Sequence, residues 1–322
     1  KADTLITVYQ SRAAIPSPTQ ISPAPEPMFT DITEISGIDF THRQSGFVDF
    51  KSFPLLPFQL SKTGPCLGKA DVNMDGLEDI FIGATSGQES ALYLQNAKGS
   101  FILSANQPWN NHKEITNTDI LFFDADGDGD PDLYLVSGGA EYNAASKNYQ
   151  DRIFENVGNG NFKQLENALP TETISGSCAR AAKINKNGLP DLFVGGMFTP
   201  GSFPVAPESF ILKNKSTAGK IRFEKDSVTH DASIKKMGMV TDAVWTDINK
   251  DGWEDLIVVG QFMPVRIFEN HQGKLKDATG TYGLANTNGW WRRILADDFD
   301  NDGDTDFVIG NLGLNSSFKA TP

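Results

Sequence analysis

The chain has 322 residues, with 28 lysines and arginines against 41 aspartates and glutamates, which gives a formal net charge of −13 and a pI near 4.7. Hydrophobic residues make up 39% of the sequence, enough for a sizeable core, so the composition excludes wholesale disorder. The acidic excess argues against sequence-independent binding to nucleic acid or to an anionic membrane, and no apolar run is long enough for a membrane span.

Residues 1–27 carry five prolines, at positions 16, 18, 23, 25 and 27, and this composition predicts an N-terminal tail or linker. We expect residues 28–322 to form one repeat domain. The chain begins at Lys1 without a secretion signal, so we expect a mature form or a piece of a longer protein. The two cysteines, Cys66 and Cys178, are too few for a disulfide framework and are expected to be small buried apolar residues.

A nine-residue motif occurs five times. The five copies are Asp71–Asp79, Asp124–Asp132, Lys183–Asp191, Asp247–Asp255 and Asp298–Asp306. Four of them carry Asp or Asn at positions 1, 3 and 5, and all five have Gly at position 6 and Asp at position 9. The first positions are 53, 59, 64 and 51 residues apart, so the motif marks an internal repeat.

Each motif is followed by a short apolar stretch that runs to a glycine, as in Ile80–Gly83 and Leu256–Gly260, and this pattern predicts a strand. An apolar stretch before each motif and two more after it indicate four strands per repeat. Four-stranded units at this period predict an all-β protein, a β-propeller with five repeats visible. Either N-terminal strands complete the fifth blade, or the propeller continues to about seven blades, and we favour the longer propeller.

The side chains of the motif favour a hard cation. Oxygen ligands at alternate positions of a tight loop, a backbone carbonyl at position 7 and the final Asp suit Ca²⁺ better than Mg²⁺, because the larger ion accepts a flexible cage of oxygens. An EF-hand begins in the same way, but it needs Glu at position 12 and flanking helices. Position 12 is apolar in the four acidic loops, so the motif is not an EF-hand.

We therefore predict four calcium sites. The predicted ligands are Asp71, Asn73, Asp75, Leu77 and Asp79; Asp124, Asp126, Asp128, Asp130 and Asp132; Asp247, Asn249, Asp251, Trp253 and Asp255; and Asp298, Asp300, Asp302, Asp304 and Asp306. The third loop has Lys183 at position 1 and Asn185 and Asn187 at positions 3 and 5, so we predict that it is metal-free, with the lysine ammonium in place of the ion. The alternative for the acidic loops is an Asx-rich turn without metal.

These motifs resemble the FG-GAP repeat, also called the VCBS repeat, of integrin α-subunit propellers and bacterial surface proteins. The resemblance covers roughly residues 60–315 and implies calcium at the first hairpin loop of each blade, except at Lys183. Gly64–Pro65, Gly289–Trp291 and Gly310–Asn315 resemble secreted Bacteroidetes-type proteins in which such repeats accompany an ASPIC/UnbV segment. Lys1–Val8 resembles the end of that segment. The resemblance implies an extracellular or cell-surface module, monomeric within a larger bacterial chain.

The sequence contains no nucleophile, metalloprotease or phosphate-loop motif, and its four histidines are scattered. Propeller geometry predicts a second functional face opposite the calcium loops. The candidate ligand-binding residues there are Trp109, His112, Asn288, Trp290, Trp291 and Arg292. The alternative is that Trp290 and Trp291 fill the central channel or pack between blades.

The sequence thus predicts a calcium-stabilised extracellular module for recognition or adhesion. We expect it to bind a glycan or a protein through the face opposite the calcium loops and predict no catalytic residues. The alternative function is a carbohydrate-active lyase or hydrolase with an axial active site on the same face.

Overall fold

A computed structural model describes residues 28–186, 188–226 and 230–313. The predicted tail 1–27 and Asn187 lie outside the described residues. The helical elements are α1 (Thr33–Ser36), α2 (Asp49–Ser52) and 3₁₀ turns at Leu60–Lys62, Pro108–His112, Lys147–Tyr149 and Ala232–Ile234. Every helix in this part of the chain is far too short to cross a lipid bilayer.

All of the extended sheets are antiparallel and follow chain order. The first holds β1 (Cys66–Ala70), β2 (Asp79–Gly83), β3 (Ala91–Gln95) and β4 (Phe101–Ser104). The second holds β5 (Thr116–Phe123), β6 (Asp132–Gly138), β7 (Arg152–Asn156) and β8 (Phe162–Gln164). The third holds β9 (Ser175–Ala182), β10 (Asp191–Phe198), β11 (Phe210–Asn214) and β12 (Phe223–Lys225).

The fourth set of strands is β13 (Met239–Thr246), β14 (Asp255–Met263), β15 (Arg266–Asn270) and β16 (Leu275–Asp277). A fifth unit starts with β17 (Gly289–Asp297) and β18 (Asp306–Asn311), and β17 also pairs with the end of β14. The prediction of four-stranded propeller blades is confirmed by the four sets. A propeller of about seven blades stays a prediction.

The first strand of each blade lies against the first strand of the next, so β1, β5, β9, β13 and β17 form the inner edge of the array. Apolar side chains fill the space between adjacent blades. Phe81 and Leu92 of the first blade, for example, share one buried cluster with Leu133 and Phe154 of the second. A four-stranded sheet has two faces to cover, and stacking of this kind buries both of them.

Two predicted strand ends are wrong. The strands β10 and β14 continue through Gly195 and Gly260, because pairing to the preceding strand resumes after a bulge in each blade. Close packing between blades explains the glycine in β10. A Cβ atom on Gly195 would lie 2.6 Å from Cγ1 of Val240 in the next blade and 2.8 Å from Sγ of Cys178. Cys66 and Cys178 are free and buried, as expected.

Residues 47–62, which we call the cap segment, pack over the array. Phe53, Leu56 and Leu60 join a buried cluster with residues from the ends of the second, third and fourth blades, among them Ala140, Phe198 and Met239. The buried Asp49 carboxylate holds the segment in shape, because Oδ1 accepts the amide hydrogens of Leu60 and Ser61 at 2.8 and 3.0 Å. The sequence pattern did not predict this segment.

A buried asparagine ends the third strand of three consecutive blades and joins each blade to the one before it. These residues are Asn156, Asn214 and Asn270. Their Nδ2 atoms donate to carbonyl oxygens in the motif loop of the preceding blade, those of Val72, Ala125 and Ile184, at 2.8, 2.8 and 2.9 Å. A second hydrogen bond from each Nδ2 reaches a carbonyl of the asparagine's own blade.

We predict that Asn270→Ala lowers the free energy of unfolding by about 2–3 kcal/mol, because one buried and one partly buried carbonyl group lose their donor. Urea denaturation would measure this loss. Gln95 stands at the equivalent position of the first blade, which follows no other blade among the described residues, so Gln95→Ala should cost well under half as much. Equal losses in the two variants would contradict an inter-blade role.

Candidate metal loops and axial cavity

All five motif loops join the first and second strands of their blade and share a positive φ at positions 4 and 6. Position 4 has a positive φ in every copy, although only one of the five residues is glycine. The φ angles are 61° at Met74, 85° at Gly127, 54° at Lys186, 60° at Lys250 and 60° at Asn301. Position 6 is a positive-φ glycine in each described loop, which explains the glycine there.

The carboxylate at position 1 organises the acidic loops. In the fourth loop, Asp247 Oδ1 accepts the amide hydrogen of Asp251 at 3.0 Å, and Oδ2 accepts that of Gly252 at 2.7 Å. The loops beginning at Asp71 and Asp298 repeat both bonds. The acidic loops therefore contain the Asx turns of the alternative interpretation. These turns bring the side-chain oxygens of positions 1, 3 and 5 together within each loop.

The aspartate at position 9 is buried in the first four loops. These residues are Asp79, Asp132, Asp191 and Asp255. In each, Oδ1 accepts the amide hydrogen of the residue that ends the third strand, at 2.7–2.9 Å. In the acidic loops among them, Oδ2 also accepts the amide hydrogen of position 2. Position 9 thus ties the loop to two strands.

The donor set of the acidic loops fits a cation. Carboxylate oxygens of Asp124, Asp126 and Asp128 lie within 4.8 Å of one another, and those of Asp298, Asp300 and Asp306 do the same. Oδ1 of Asp130 is buried without a hydrogen-bond partner among the described residues. Burial, followed by the neighbouring carboxylates, raises the pKa of Asp130 to about 6. Crowded, partly desolvated anions of this kind could hold a metal ion.

The third loop differs from the other four, as expected from Lys183. Asn185 Nδ2 donates to Asp191 Oδ2 at 3.4 Å, so an amide lies beside the position 9 carboxylate. Lys183 is exposed, and the replacement of an ion by its ammonium group stays a prediction. Asp191 keeps its bond to the amide of Asn214, although position 1 holds a lysine in place of an acid.

Neighbouring loops touch through the residue at position 4. The Lys186 ammonium lies 4.0 Å from the centre of the Trp253 ring, at position 7 of the next loop. Lys250 Nζ donates to the carbonyl oxygen of Gly303 at 3.0 Å, at position 6 of the loop after that. The third, fourth and fifth loops therefore lie in a row along one face of the array.

A cavity of about 250 Å³ opens at the opposite end of the inner strands. Its lining includes Leu60 of the cap segment, the bulged residues Thr118, Ser177, Thr241 and Arg292 of successive first strands, and Arg293. We call it the axial cavity. The prediction of a second face opposite the motif loops matches this position.

An ionic triad that the sequence analysis missed crosses three blades along the inner strands. Arg180 of the third blade donates to Asp119 of the second at 2.5 Å and to Asp242 of the fourth. Burial alone would lower the pKa of Arg180, but the two carboxylates raise it above its usual value. Arg293 Nη1 lies 3.8 Å from Asp242, so the same acid faces two guanidinium groups. Charged residues inside apolar strands are the signal that could have identified the triad.

The structure places the six predicted ligand residues in different parts of the molecule. Trp109 is 2% exposed and packs edge-on against Phe81, so this tryptophan is part of the core and has no surface for a ligand. Trp291 is half-buried and donates from Nε1 to the carbonyl of Thr287 at 2.9 Å, as a structural residue would. Arg292 lines the axial cavity.

The remaining candidates lie at different places. The half-buried Trp290 forms edge contacts with Phe58 of the cap segment and with Phe262, at 6.3 and 5.4 Å between ring centres. Asn288 is exposed at the start of the same strand. His112 hydrogen-bonds to Gln164 at 2.6 Å and lines a separate cavity.

This second cavity has a volume of about 460 Å³ and also borders Asp151 and Arg152. Asp151 accepts hydrogen bonds from the Tyr134 hydroxyl at 2.7 Å and from the amide of Ser137 at 2.8 Å. Burial nevertheless raises the pKa of Asp151 to about 7. The folded protein therefore binds a proton here more tightly than the unfolded chain does.

Because the folded-state pKa of Asp151 lies above the unfolded value of 3.8, its contribution to stability is present below about pH 4 and is lost as the pH rises through about 7. The corresponding residues of the first and third blades are Ser90 and Ser209. Each accepts the equivalent amide hydrogen at 3.0 Å, so serine fits this position.

We predict that the stability of Asp151→Ser relative to wild type is higher at pH 8 than at pH 5. The difference in the free energy of unfolding between variant and wild type should change by at least about 1 kcal/mol between the two pH values. Urea denaturation of both proteins at the two pH values, with calcium held constant, measures the difference. A stability difference that does not change with pH would contradict the shifted pKa.

The sequence matches the profile of the FG-GAP-like repeat over residues 71–135 and 247–309. No curated protein matches the chain. Among solved structures, it is similar to an Agrocybe aegerita lectin that recognises non-reducing terminal N-acetylglucosamine, with 17% identity and a TM-score of 0.46. It is also similar to the V. cholerae biofilm matrix protein Bap1, with 15% identity and a TM-score of 0.41.

Both structural alignments cover 77% of this chain. They cover 62% of the lectin and 34% of the biofilm matrix protein, so the chain spans less than two thirds of either. The repeated motif, the common loop conformation and the profile match agree on the same segments. The chain carries FG-GAP-like repeats at residues 71–135 and 247–309.

Proposed function

We propose that this chain is a calcium-stabilised extracellular recognition module, with calcium in four motif loops and a binding surface for a glycan or a protein at the axial cavity. The observation that carries the proposal is the division of the array into two ends. Carboxylate loops occupy one end, and the axial cavity with its arginines and neighbouring Trp290 occupies the other.

The donor chemistry of the loops supports calcium in particular. Every side-chain ligand is an oxygen, and position 7 can add a carboxylate or a backbone carbonyl, which suits an ion with six to eight oxygen ligands. Aspartates of the four acidic loops account for 16 of the 41 acidic residues of the chain. Burial, and after it repulsion between neighbouring carboxylates, raises the pKa of Asp130, Asp132 and Asp255, and bound cations would offset both costs of ionisation.

The environment of the axial acids supports binding over catalysis. A glycosidase needs two carboxyl groups free to act on one substrate. Asp119 and Asp242 are the acids of the inner strands near the cavity, and both are bound to Arg180. Because Arg180 engages both acids, we rank an enzyme with an axial active site second to a binding module.

We predict that removal of calcium by a chelator lowers the melting temperature and that added calcium restores it. Extracellular sites have dissociation constants of about 10⁻⁴–10⁻³ M. At a free calcium concentration about tenfold above the dissociation constant, each site stabilises the fold by about 1.4 kcal/mol. Differential scanning calorimetry would measure the change, and an unchanged melting temperature would contradict structural calcium.

Calorimetric titration can then count the sites. We expect four ions per chain, and three for Asp124→Asn or for Asp298→Asn. Asn185→Ala, in the loop that begins at Lys183, is the matched control and should leave the number at four. Loss of an ion from this control would show that the third loop also binds calcium.

We predict that Trp290→Ala weakens binding to immobilised glycans or peptides at least about tenfold, because the tryptophan packs against Phe58, the ring that Arg292 of the axial cavity also contacts. Trp253→Ala is the matched control, since this tryptophan lies in a motif loop at the other end. A screen of neutral and acidic glycans and of peptides, read by surface plasmon resonance, tests both variants. Binding that responds only to Trp253→Ala would place the surface at the calcium end.

A further inference from the structure

We infer that the axial cavity binds an anionic, polyhydroxylated ligand, such as the terminal uronate of an acidic polysaccharide. This inference rests on the proposed function, because it names the class of ligand for the same surface. It follows from three features of the cavity: hydroxyl groups whose protons are already donated, an arginine without a carboxylate partner among the described residues, and a small volume.

The hydroxyl groups form a row of acceptors. Thr118, Ser177 and Thr241 occupy the bulge of three successive first strands. Their hydroxyls donate to the carbonyl oxygens of Gly176, Gly195 and Trp291, at 3.0, 3.1 and 2.9 Å. A hydroxyl has one proton and two lone pairs, so each of these oxygens can only accept from a ligand. The ligand must therefore bring donors, as a sugar does.

The next bulge along the array holds Arg292 in place of a hydroxyl residue. Around the inner strands, Asp119 and Asp242 balance Arg180 and Arg293. Arg292 forms no ion pair within the described residues, because no carboxylate oxygen there lies within 4 Å of its guanidinium group. Its Cζ instead lies 5.1 Å from the centre of the Phe58 ring.

A guanidinium group held against an aromatic face keeps its planar donors free for an anion. Arginine binds a carboxylate through two parallel hydrogen bonds, which a neutral hydroxymethyl group cannot supply. Arg292 in this setting favours a sugar acid over the corresponding neutral sugar.

The volume of the cavity limits the ligand to a small unit. Sites for drug-sized molecules have volumes of about 300–1,000 Å³. At about 250 Å³, the axial cavity suits one sugar ring, with the rest of a polysaccharide outside.

The test compares methyl glucuronoside and methyl galacturonoside with the matching neutral glycosides and with the uronoside methyl esters, by calorimetric titration in calcium. We expect each uronoside that fits to bind at least about tenfold more tightly than its neutral partners, and less tightly as salt increases. Arg292→Gln should remove this preference. Arg222→Gln, which changes an exposed arginine paired with Glu224, should leave it unchanged.

Failure of both uronosides to bind would overturn the inference, and so would equal affinity for a uronoside and its neutral glycoside. A preference for the uronoside that survives in Arg292→Gln would also overturn it, provided that the variant is folded and its melting temperature is unchanged. Inorganic sulfate is a further arm. Equal affinity for sulfate would mean that the site recognises an anion alone, which contradicts the polyhydroxylated ligand. If neutral glycans or peptides bind in a Trp290-dependent way, the proposed function stands without this inference.

Discussion

The first four blades depend on a buried aspartate at the end of their motif loop. An ionised carboxylate inside a protein is costly unless hydrogen bonds or a counter-charge compensate it. The backbone amides of the loop and of the third strand supply the hydrogen bonds, and they position the hairpin between the first two strands. Because burial still raises the pKa of Asp132 to about 7, the compensation by amides alone is incomplete. Asp191 remains in the loop that has lost the other acids, so this residue serves the fold even without a full set of ligands.

The two ends of the array have different physical tasks. At the motif end, the third, fourth and fifth loops contact each other through Lys186 and Lys250, so each of these loops supports its neighbour. At the opposite end, the bulges open the inner strands and the cap segment covers part of the surface. A cation bound at one end would therefore stiffen the hairpins without filling the axial cavity at the other. This separation explains why a loop can lose its acids while the blade retains its strands.

Sequence periodicity predicted the blades, the position of the loops between first and second strands, and the different character of the third loop. It could not predict the cap segment, because residues 47–62 have no repeat partner and fold against three blades at once. Trp109 illustrates a second limit, since a tryptophan in a polar stretch was expected at the surface but fills the space between two blades. The ion pairs of Arg180 depend on how far each blade is rotated about the axis, which the one-dimensional pattern does not contain.

Those ion pairs also restrict how such an array can evolve. Repeats that share a loop and a core look interchangeable, and duplication or exchange of blades would then cost little. Arg180 needs an acid from the blade on each side, so moving the third blade elsewhere would separate one buried charge from two partners. These ion pairs thus fix the position of the third blade between the second and the fourth. Duplication or exchange of blades would have to keep these three repeats together.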